Sequence, residues 1–169
     1  MSLPKLSAMW ENYPNGPKSQ VATLVGGSIA WDINHDSNYN TCCIRTSRAL
    51  NLSGAPIEKS YCDGLKNKYV PPKVRTDTGS DKKFFYIASV YDMRVYLEAR
   101  YGQPTRFKKM SKADLIKEQT GPGILMFFSP HCDLWDGTQV RYNDGEWDAA
   151  VEELLLWSTP AESSTTGPT

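Results

Sequence analysis

The sequence has 169 residues, of which 40% are hydrophobic, and a globular chain of this length buries about 70% of its unfolded surface. This length argues against two full domains. It predicts a single domain over residues 1–159 and a disordered tail over residues 160–169, which are rich in Ser, Thr, Pro and Gly. Nineteen Lys and Arg residues balance nineteen Asp and Glu residues, so the net charge is zero. That balance argues against binding to nucleic acid or to an anionic membrane surface.

The longest apolar runs, over residues 123–128 and 151–157, are much shorter than the ~20 residues that a membrane-spanning helix needs. The amino-terminal segment has no apolar core of the kind found in signal peptides. We therefore expect synthesis in the cytoplasm and, if the protein is exported, a route other than general secretion. The four cysteines and two histidines have no tight spacing, so we expect no structural zinc site, and we expect no other metal or cofactor.

The first half of the chain is predicted to be mainly helical. Leu6–Tyr13 carries apolar residues at helical spacing. Gly26-Gly27 interrupts the apolar stretch Val21–Ile29 and indicates a sharp turn or a close approach of two segments. A second helix is predicted to begin at Thr41 and to end at Ser53-Gly54.

A long loop that lies over a groove is predicted for residues 55–82, where Pro, Gly and charged residues show no periodicity. Phe84–Ile87 predicts a short strand. Ser89 and Ser111 each begin a capping box, which predicts a helix after each of them. The apolar run 123–128 predicts a buried strand.

A hairpin is predicted for the last third of the chain, with strands Cys132–Trp135 and Thr138–Tyr142 joined at Asp136-Gly137. The block that follows, over residues 147–157, fits either a helix or a strand. Helices thus come before most of the sheet, which indicates an α+β fold.

Cys42 and Cys43 lie in the first turn of the predicted helix, where free backbone N–H groups and the helix dipole favour a thiolate. His131, on a later strand, can act as general base and acid if a carboxylate orients its ring. Two carboxylates are candidates: Asp133 shares a strand face with His131, and Asp144 follows the opposite strand of the hairpin. The alternative is that all these residues are structural, with buried Cys and His side chains and solvated carboxylates.

The segment around these cysteines resembles the nucleophile helix of the type VI secretion amidase effector 4 family. The matching residues are Asn40–Arg45, Ser47, Ala49–Asn51 and Ser53-Gly54, with further likeness at Val25–Gly27, Lys83–Ile87, Val90, Asp92-Met93, Tyr96-Leu97, His131 and Leu134–Gly137. They occur in the order expected for the family and span residues 6 to 158.

The resemblance implies a papain-like fold of the NlpC/P60 kind, in which a nucleophile helix packs on an antiparallel sheet. It implies hydrolysis of the amide between D-glutamate and meso-diaminopimelate in the peptidoglycan stem peptide, in rival bacteria. Cys42 takes the position of the nucleophile and His131 that of the base, while Cys43 is interpreted as a packing residue. Backbone N–H groups at the start of the helix are expected to stabilise the oxyanion, and a dedicated immunity protein is the expected partner.

The sequence departs from the family pattern at Tyr142, where the third catalytic residue, an aspartate, is expected. Asp144 matches that position only if the strand contains a bulge or a longer turn, so Asp144 and Asp133 both remain candidates. A papain-like deamidase or protease that acts on proteins is one alternative function, since fold does not fix substrate. A catalytically dead binding module is another, because of Tyr142.

Three further predictions concern residues near the site. Arg45 is a candidate for binding a substrate carboxylate, with an ion pair to Asp or Glu as the alternative. Trp135 is a candidate for the wall of the substrate groove, with a place in the core as the alternative. Cys62 and Cys132 either form a disulfide or remain as two free buried thiols.

Overall fold

The structure is a computed structural model of the chain, and it describes residues 1–66, 73–80, 83–127, 131–142 and 150–162. The helices are α1 (Leu6–Asn12), α2 (Lys18–Val25), α3 (Gly27–His35), α4 (Cys42–Leu52), α5 (Lys59–Gly64), α6 (Val90–Tyr101) and α7 (Lys112–Lys117). The strands are β1 (Asp77–Thr78), β2 (Phe85–Tyr86), β3 (Thr105–Met110), β4 (Gly123–Phe127), β5 (His131–Trp135) and β6 (Val151–Ser158).

Four of the strands form one antiparallel sheet in the order β3-β6-β4-β5, and β1 pairs with β2 separately. The sheet strands come from the second half of the chain, whereas α1 to α5 come from the first. The α+β class predicted from the sequence is confirmed. In the ranges that the structure covers, no helix is long and apolar enough to cross a membrane.

Helix α4 is the most deeply buried helix, since nine of its eleven residues are buried. It packs against β5, α1 and β2. Its buried polar residues bond to backbone outside the helix: the N–H of Ile87 donates to Ser47 Oγ at 3.0 Å, and the Asn51 amide donates to the carbonyl of Phe85 at 2.8 Å. These bonds connect α4 to the end of β2 and satisfy polar groups that burial alone would leave unpaired.

The two faces of the sheet cover two separate parts of the core. Along β4 the side chains alternate: Ile124 and Met126 join the cluster that contains α1, α4 and α6, whereas Leu125 and Phe127 join a second cluster on the other face. Both faces are apolar and covered, which explains why the strand has a continuous apolar sequence and not a polar alternation.

Most of the strongly patterned elements lie where the sequence predicted them. The helices α1 and α4 are confirmed. The helices that follow Ser89 and Ser111 are also confirmed, and each Ser side chain accepts the backbone N–H three residues later. The buried strand is confirmed over Gly123–Phe127.

The predicted hairpin is wrong in its register. The central residues of the turn are Gly137 and Thr138, because the N–H of Asp136 donates to the carbonyl of Gln139 at 3.1 Å. The Asp136 carboxylate accepts the N–H groups of Thr138 and Gln139 at 2.7 and 2.8 Å, a bonding pattern that favours Asp at the first position of a turn.

The shift in register changes which residues face each other. Trp135 pairs with Val140 in an isolated bridge, so Tyr142 stands opposite Asp133 and not opposite His131. Apart from that bridge, the predicted strand Thr138–Tyr142 is not formed.

The other corrections concern weakly patterned segments. Residues 147–157 were ambiguous, and the structure forms a strand over Val151–Ser158, with 147 outside the described residues. The described part of the predicted loop 55–82 contains α5 and β1, and residues 67–72 and 81–82 of that loop lie outside the described residues. Strand β3 was not predicted because its sequence is largely cationic; at this sheet edge Arg106 donates to Glu153 of β6 at 3.1 Å. Most of the predicted tail, residues 163–169, lies outside the described residues, so its disorder stays a prediction; just before these residues, Glu162 accepts the backbone N–H of Ser7 at 3.0 Å.

Gly123 gives a test of the packing between β4 and β6. A Cβ atom at this position would lie 2.1 Å from the carbonyl oxygen of Trp157, and backbone cannot yield as a side chain does. We expect Gly123→Ala to lower the free energy of unfolding by about 1–3 kcal/mol, measured by urea denaturation. Gly121→Ala is the matched control, because no atom lies within 4 Å of its added Cβ. Equal stability of the two variants would contradict the packing.

Candidate active site

Cys42 is the first residue of α4, and only 2% of it is exposed. Its own N–H donates to the side-chain oxygen of Asn40 at 3.0 Å. The thiol therefore lies at the positive end of a buried eleven-residue helix, an environment that favours the thiolate over the thiol.

His131 and Asp133 project from the same face of β5, as their spacing predicted. The Nε2 atom of His131 lies 3.3 Å from Oδ2 of Asp133. The Asp133 carboxylate is fully buried and also accepts the N–H groups of Leu134 at 2.7 Å and Tyr142 at 3.1 Å. The carboxylate is thus fixed by three donors and fixes the imidazole in turn.

The structure brings together Cys42, His131 and Asp133. With Nε2 of the imidazole on Asp133, Nδ1 is the nitrogen left for Cys42. The fourth predicted member, Asp144, lies outside the described residues, so its assignment stays a prediction.

The charges of the site support one another. The pKa of Cys42 is lowered to about 5, mainly by a hydrogen bond with Cys43 and further by the hydrogen bond and charge of His131. Burial acts in the opposite direction. Burial alone would lower the pKa of His131, but its hydrogen bonds and charge interactions with Asp133 and Cys42 outweigh burial and raise that pKa to about 10. Between these values the stable form of the pair is a thiolate beside an imidazolium.

Burial raises the pKa of Asp133, while the hydrogen bond and positive charge of His131 oppose that rise. The buried Tyr13 hydroxyl, from the end of α1, lies near this carboxylate. Its pKa is raised well above the usual value, first by burial and then by the charge of Asp133. Tyr13 therefore remains a neutral phenol next to the carboxylate.

Arg45 is not on a surface that substrate can reach. Its side chain is fully buried: the guanidinium donates to Thr41 Oγ1 at 3.1 Å and to the carbonyl of Pro14 at 2.5 Å, and it lies 3.8 Å over the ring of Tyr142. Among the residues that the structure describes, Arg45 forms no ion pair with an Asp or Glu side chain, so that alternative is not found there. Arg45 therefore joins α4 to two other segments of the chain, at Pro14 after α1 and at Tyr142 after β5.

Trp135 is also fully buried, and its indole N–H donates to Thr120 Oγ1 at 3.2 Å. It belongs to the cluster on the face of the sheet opposite to α4. The structure therefore supports the core alternative for Trp135, and it does not place this residue in a substrate groove.

Two groups of the site were not singled out by the sequence. Cys43 was interpreted as packing, but its sulfur lies 3.8 Å from that of Cys42. Tyr142 was noted only as a departure from a family pattern, yet its backbone N–H holds Asp133. Cys62 and Cys132 are free and buried, so the structure contains the free thiols and not the disulfide. Among the residues covered, no group of three or more His, Cys, Asp or Glu side chains is placed to hold a metal ion.

Comparison with known proteins identifies the family. The model of the family named Tae4, type VI secretion system amidase effector protein 4, matches residues 38–157, a range that contains the Cys42 helix and β5. The chain belongs to the Tae4 family. It is therefore a peptidoglycan amidase and an antibacterial toxin of the type VI secretion system.

Solved structures support this assignment. The chain is similar to Tae4 from Salmonella typhimurium, in complex with the immunity protein Tai4 from Enterobacter cloacae: the two are 25% identical, the match covers 93% of this chain and 99% of that chain, and the TM-score is 0.73. It is similar in fold to Tae4 from Enterobacter cloacae, with 24% identity, 95% and 100% coverage and a TM-score of 0.72. The comparison with curated proteins gives no match. The papain-like architecture expected for a Tae4 effector agrees with these likenesses.

The contacts of Asp133 generate a test of which carboxylate orients the imidazole. We expect Asp133→Asn to lower kcat by roughly a hundredfold or more, because an amide cannot balance the charge of the imidazolium. Asp144→Asn serves as the comparison and should cause only a small loss. Steady-state hydrolysis of a murein peptide gives both values, with thermal melts to show that the variants are folded. Small and similar losses in both variants would mean that neither residue orients His131.

Proposed function

We propose that this Tae4 member is a cysteine amidase that hydrolyses the bond between the γ-carboxyl of D-glutamate and meso-diaminopimelate. Cys42 is the nucleophile, His131 the proton donor and base, and Asp133 the residue that orients the imidazole. The observation that carries the proposal is the buried triad itself, in which a thiol at a helix N-terminus, an imidazole and a carboxylate follow one another.

The first half of the reaction is acyl transfer to sulfur. The Cys42 thiolate attacks the carbonyl carbon of the amide, and a C–S bond forms. As the C–N bond breaks, the imidazolium of His131 gives its proton to the leaving amine of diaminopimelate. Asp133 stabilises the charged ring before this step and keeps its orientation during it.

The second half is hydrolysis of the thioester. Neutral His131 takes a proton from water, the resulting hydroxide adds to the carbonyl, and the C–S bond breaks to return the Cys42 thiolate beside a protonated His131. The D-glutamate of the stem peptide is left with a free γ-carboxylate. No electron transfer occurs, so the chemistry requires no redox cofactor.

The oxyanion formed in each half needs donors at the start of α4. The N–H of Cys42 is one such donor, but in the structure it donates to the side-chain oxygen of Asn40 at 3.0 Å. The proposal therefore includes an exchange of acceptors, in which the substrate oxygen replaces the Asn40 side chain at that N–H.

The choice of bond is supported by family membership together with the motif likeness around Cys42 and His131. The partner is supported in the same way. The related effectors from Salmonella typhimurium and Enterobacter cloacae were solved in complex with Tai4 immunity proteins. We infer that this chain binds an immunity protein of that kind over its active site.

The decisive experiment uses a tetrapeptide that contains meso-diaminopimelate. Wild-type protein should cleave it after D-glutamate, Cys42→Ala should show no cleavage, and Cys43→Ala should keep most of the activity near neutral pH, with products read by mass spectrometry. Cys62→Ala, which removes a buried thiol outside the centre, is the control for loss of a cysteine, and Cys42→Ala and Cys43→Ala together compare the two adjacent thiols. Equal activity of the two variants would contradict the choice of nucleophile.

Failure of folded wild-type protein to cleave the tetrapeptide would favour one of the two other functions considered from the sequence. Cleavage or deamidation of a protein substrate would then indicate the papain-like protease or deamidase. Absence of both activities, with an ordinary, slowly alkylated Cys42, would indicate a binding module.

The pKa values of the pair set the pH dependence. Below about 5 Cys42 takes up a proton and loses its nucleophilicity, and above about 10 His131 loses the proton that the leaving amine needs. We expect kcat/KM to be constant between these two pH limits and to fall about tenfold per pH unit beyond each. The limits are macroscopic pKa values, which belong to the coupled pair and not to either residue alone. A pH profile of kcat/KM that rises in one step, near the usual pKa of a free cysteine, would contradict the ion pair.

A further inference from the structure

The residue next to the nucleophile makes a contact that the mechanism above does not use. The Sγ atoms of Cys42 and Cys43 lie 3.8 Å apart, which is hydrogen-bonding distance for two sulfur atoms. Cys43 is fully buried and Cys42 is 2% exposed. Water therefore does not compete effectively for this contact.

When Cys42 is the thiolate of the ion pair with His131, only Cys43 can donate in this contact, because a thiolate carries no proton. The pKa of Cys43 is raised well above its usual value, first by burial and then by its hydrogen bonds to Cys132 and Cys42. A buried neutral thiol beside a thiolate has one arrangement open to it, in which the neutral S–H donates and the charged sulfur accepts.

The other neighbours of Cys43 do not take that proton away. Thr46 Oγ1 donates its proton to the carbonyl of Cys42 at 3.1 Å. Its contact with Cys132 Sγ at 3.5 Å is then one in which Cys132 donates. Cys43 has hydrogen bonds with the sulfur atoms of Cys132 and Cys42, and of these two the charged sulfur of Cys42 is the stronger acceptor.

We propose that Cys43 is a fourth polar member of the catalytic centre, whose S–H donates to the Cys42 thiolate and holds it charged before substrate binds. The proposal rests on Cys42 being the nucleophile. It assigns to Cys43 a chemical task in place of simple packing. The bond is made in the free enzyme and is weakened when the sulfur forms the thioester, since a thioester sulfur is a poor acceptor.

The hydrogen bond from Cys43 has two opposing effects on the reactivity of Cys42, and an experiment can separate them. A hydrogen bond to the thiolate lowers the pH at which the thiolate forms, but it also reduces the nucleophilicity of that thiolate. Loss of the donor should therefore slow the reaction of Cys42 at acidic pH and leave it equal or faster at alkaline pH. A variant that is merely damaged would be slower throughout.

The experiment follows alkylation of Cys42 by iodoacetamide from pH about 4 to about 9.5, with the modified residue identified by mass spectrometry, so that it does not depend on hydrolysis of any substrate. Cys43→Ala and Cys43→Ser are a matched pair, because they differ only by a hydroxyl donor. Cys62→Ala, which removes a buried thiol outside the centre, controls for loss of a cysteine as such.

We expect the midpoint of the wild-type profile near the acidic value of Cys42, unchanged in Cys62→Ala. Cys43→Ala should move the midpoint upward by about one to two pH units, and its profile should cross that of the wild type. Cys43→Ser should lie closer to the wild type, because its O–H replaces the S–H.

Three results would overturn the proposal. Identical profiles for wild type and Cys43→Ala would show that Cys43 only packs, while leaving the proposed function intact. Equal shifts in Cys43→Ala and Cys43→Ser would assign the effect to lost volume. An ordinary thiol midpoint in the wild type would overturn the proposed nucleophile and this inference together.

The S–H stretching band in Raman spectra gives a measurement that needs no variant at Cys43. Cys42→Ala removes the thiolate acceptor and leaves the other three thiols, so the band of Cys43 should move to the frequency of a weaker hydrogen bond. An unchanged spectrum would overturn the proposal.

Discussion

The buried carboxylate of Asp133 is the constraint on which the rest of the site depends. A fully buried charge is costly unless it is paired and hydrogen-bonded, and Asp133 is provided with both: two backbone N–H groups hold it, and His131 supplies the opposite charge. The imidazolium balances the charge of Asp133 on one side and stabilises the Cys42 thiolate on the other. Arg45, buried with its guanidinium against Tyr142, adds a second positive charge nearby. The four charges sum to zero within one small region of the core.

Helix α4 turns this electrostatic arrangement into a geometry. Its amino end carries the thiolate, its middle carries Arg45 and its later turns carry Ser47 and Asn51, which bond to the backbone near β2. A helix that is buried nearly all round cannot slide or rotate without breaking several of these contacts. The position of the Cys42 sulfur relative to β5 is therefore set by the whole helix and not by local contacts alone.

The sequence predicted the elements whose signals are local. Helix α4 was found because a polar segment precedes it and a glycine ends it, and the pairing of His131 with Asp133 followed from alternation along a strand. The choice between Asp133 and Asp144 was not reached, because it depends on the register of the turn at Asp136, and one residue of shift changes every partner. Strand β3 was missed because its sequence is largely cationic and the partner of its Arg106, Glu153 of β6, is distant in sequence. The contact of Cys43 was missed because the direction of neighbouring side chains in a first helical turn is not a property of composition.

The low exposure of Cys42 has a consequence for the protein before it meets a substrate. The thiolate is the form of cysteine that attacks hydrogen peroxide and disulfides, so a charged Cys42 is at constant risk of oxidation. Here 2% of the residue is accessible, while the adjacent His131 side chain is 14% exposed, so the edge of the imidazole is the more open approach. Because susceptibility to oxidation follows exposure as well as charge, burial lowers the rate at which Cys42 of the free enzyme is oxidised.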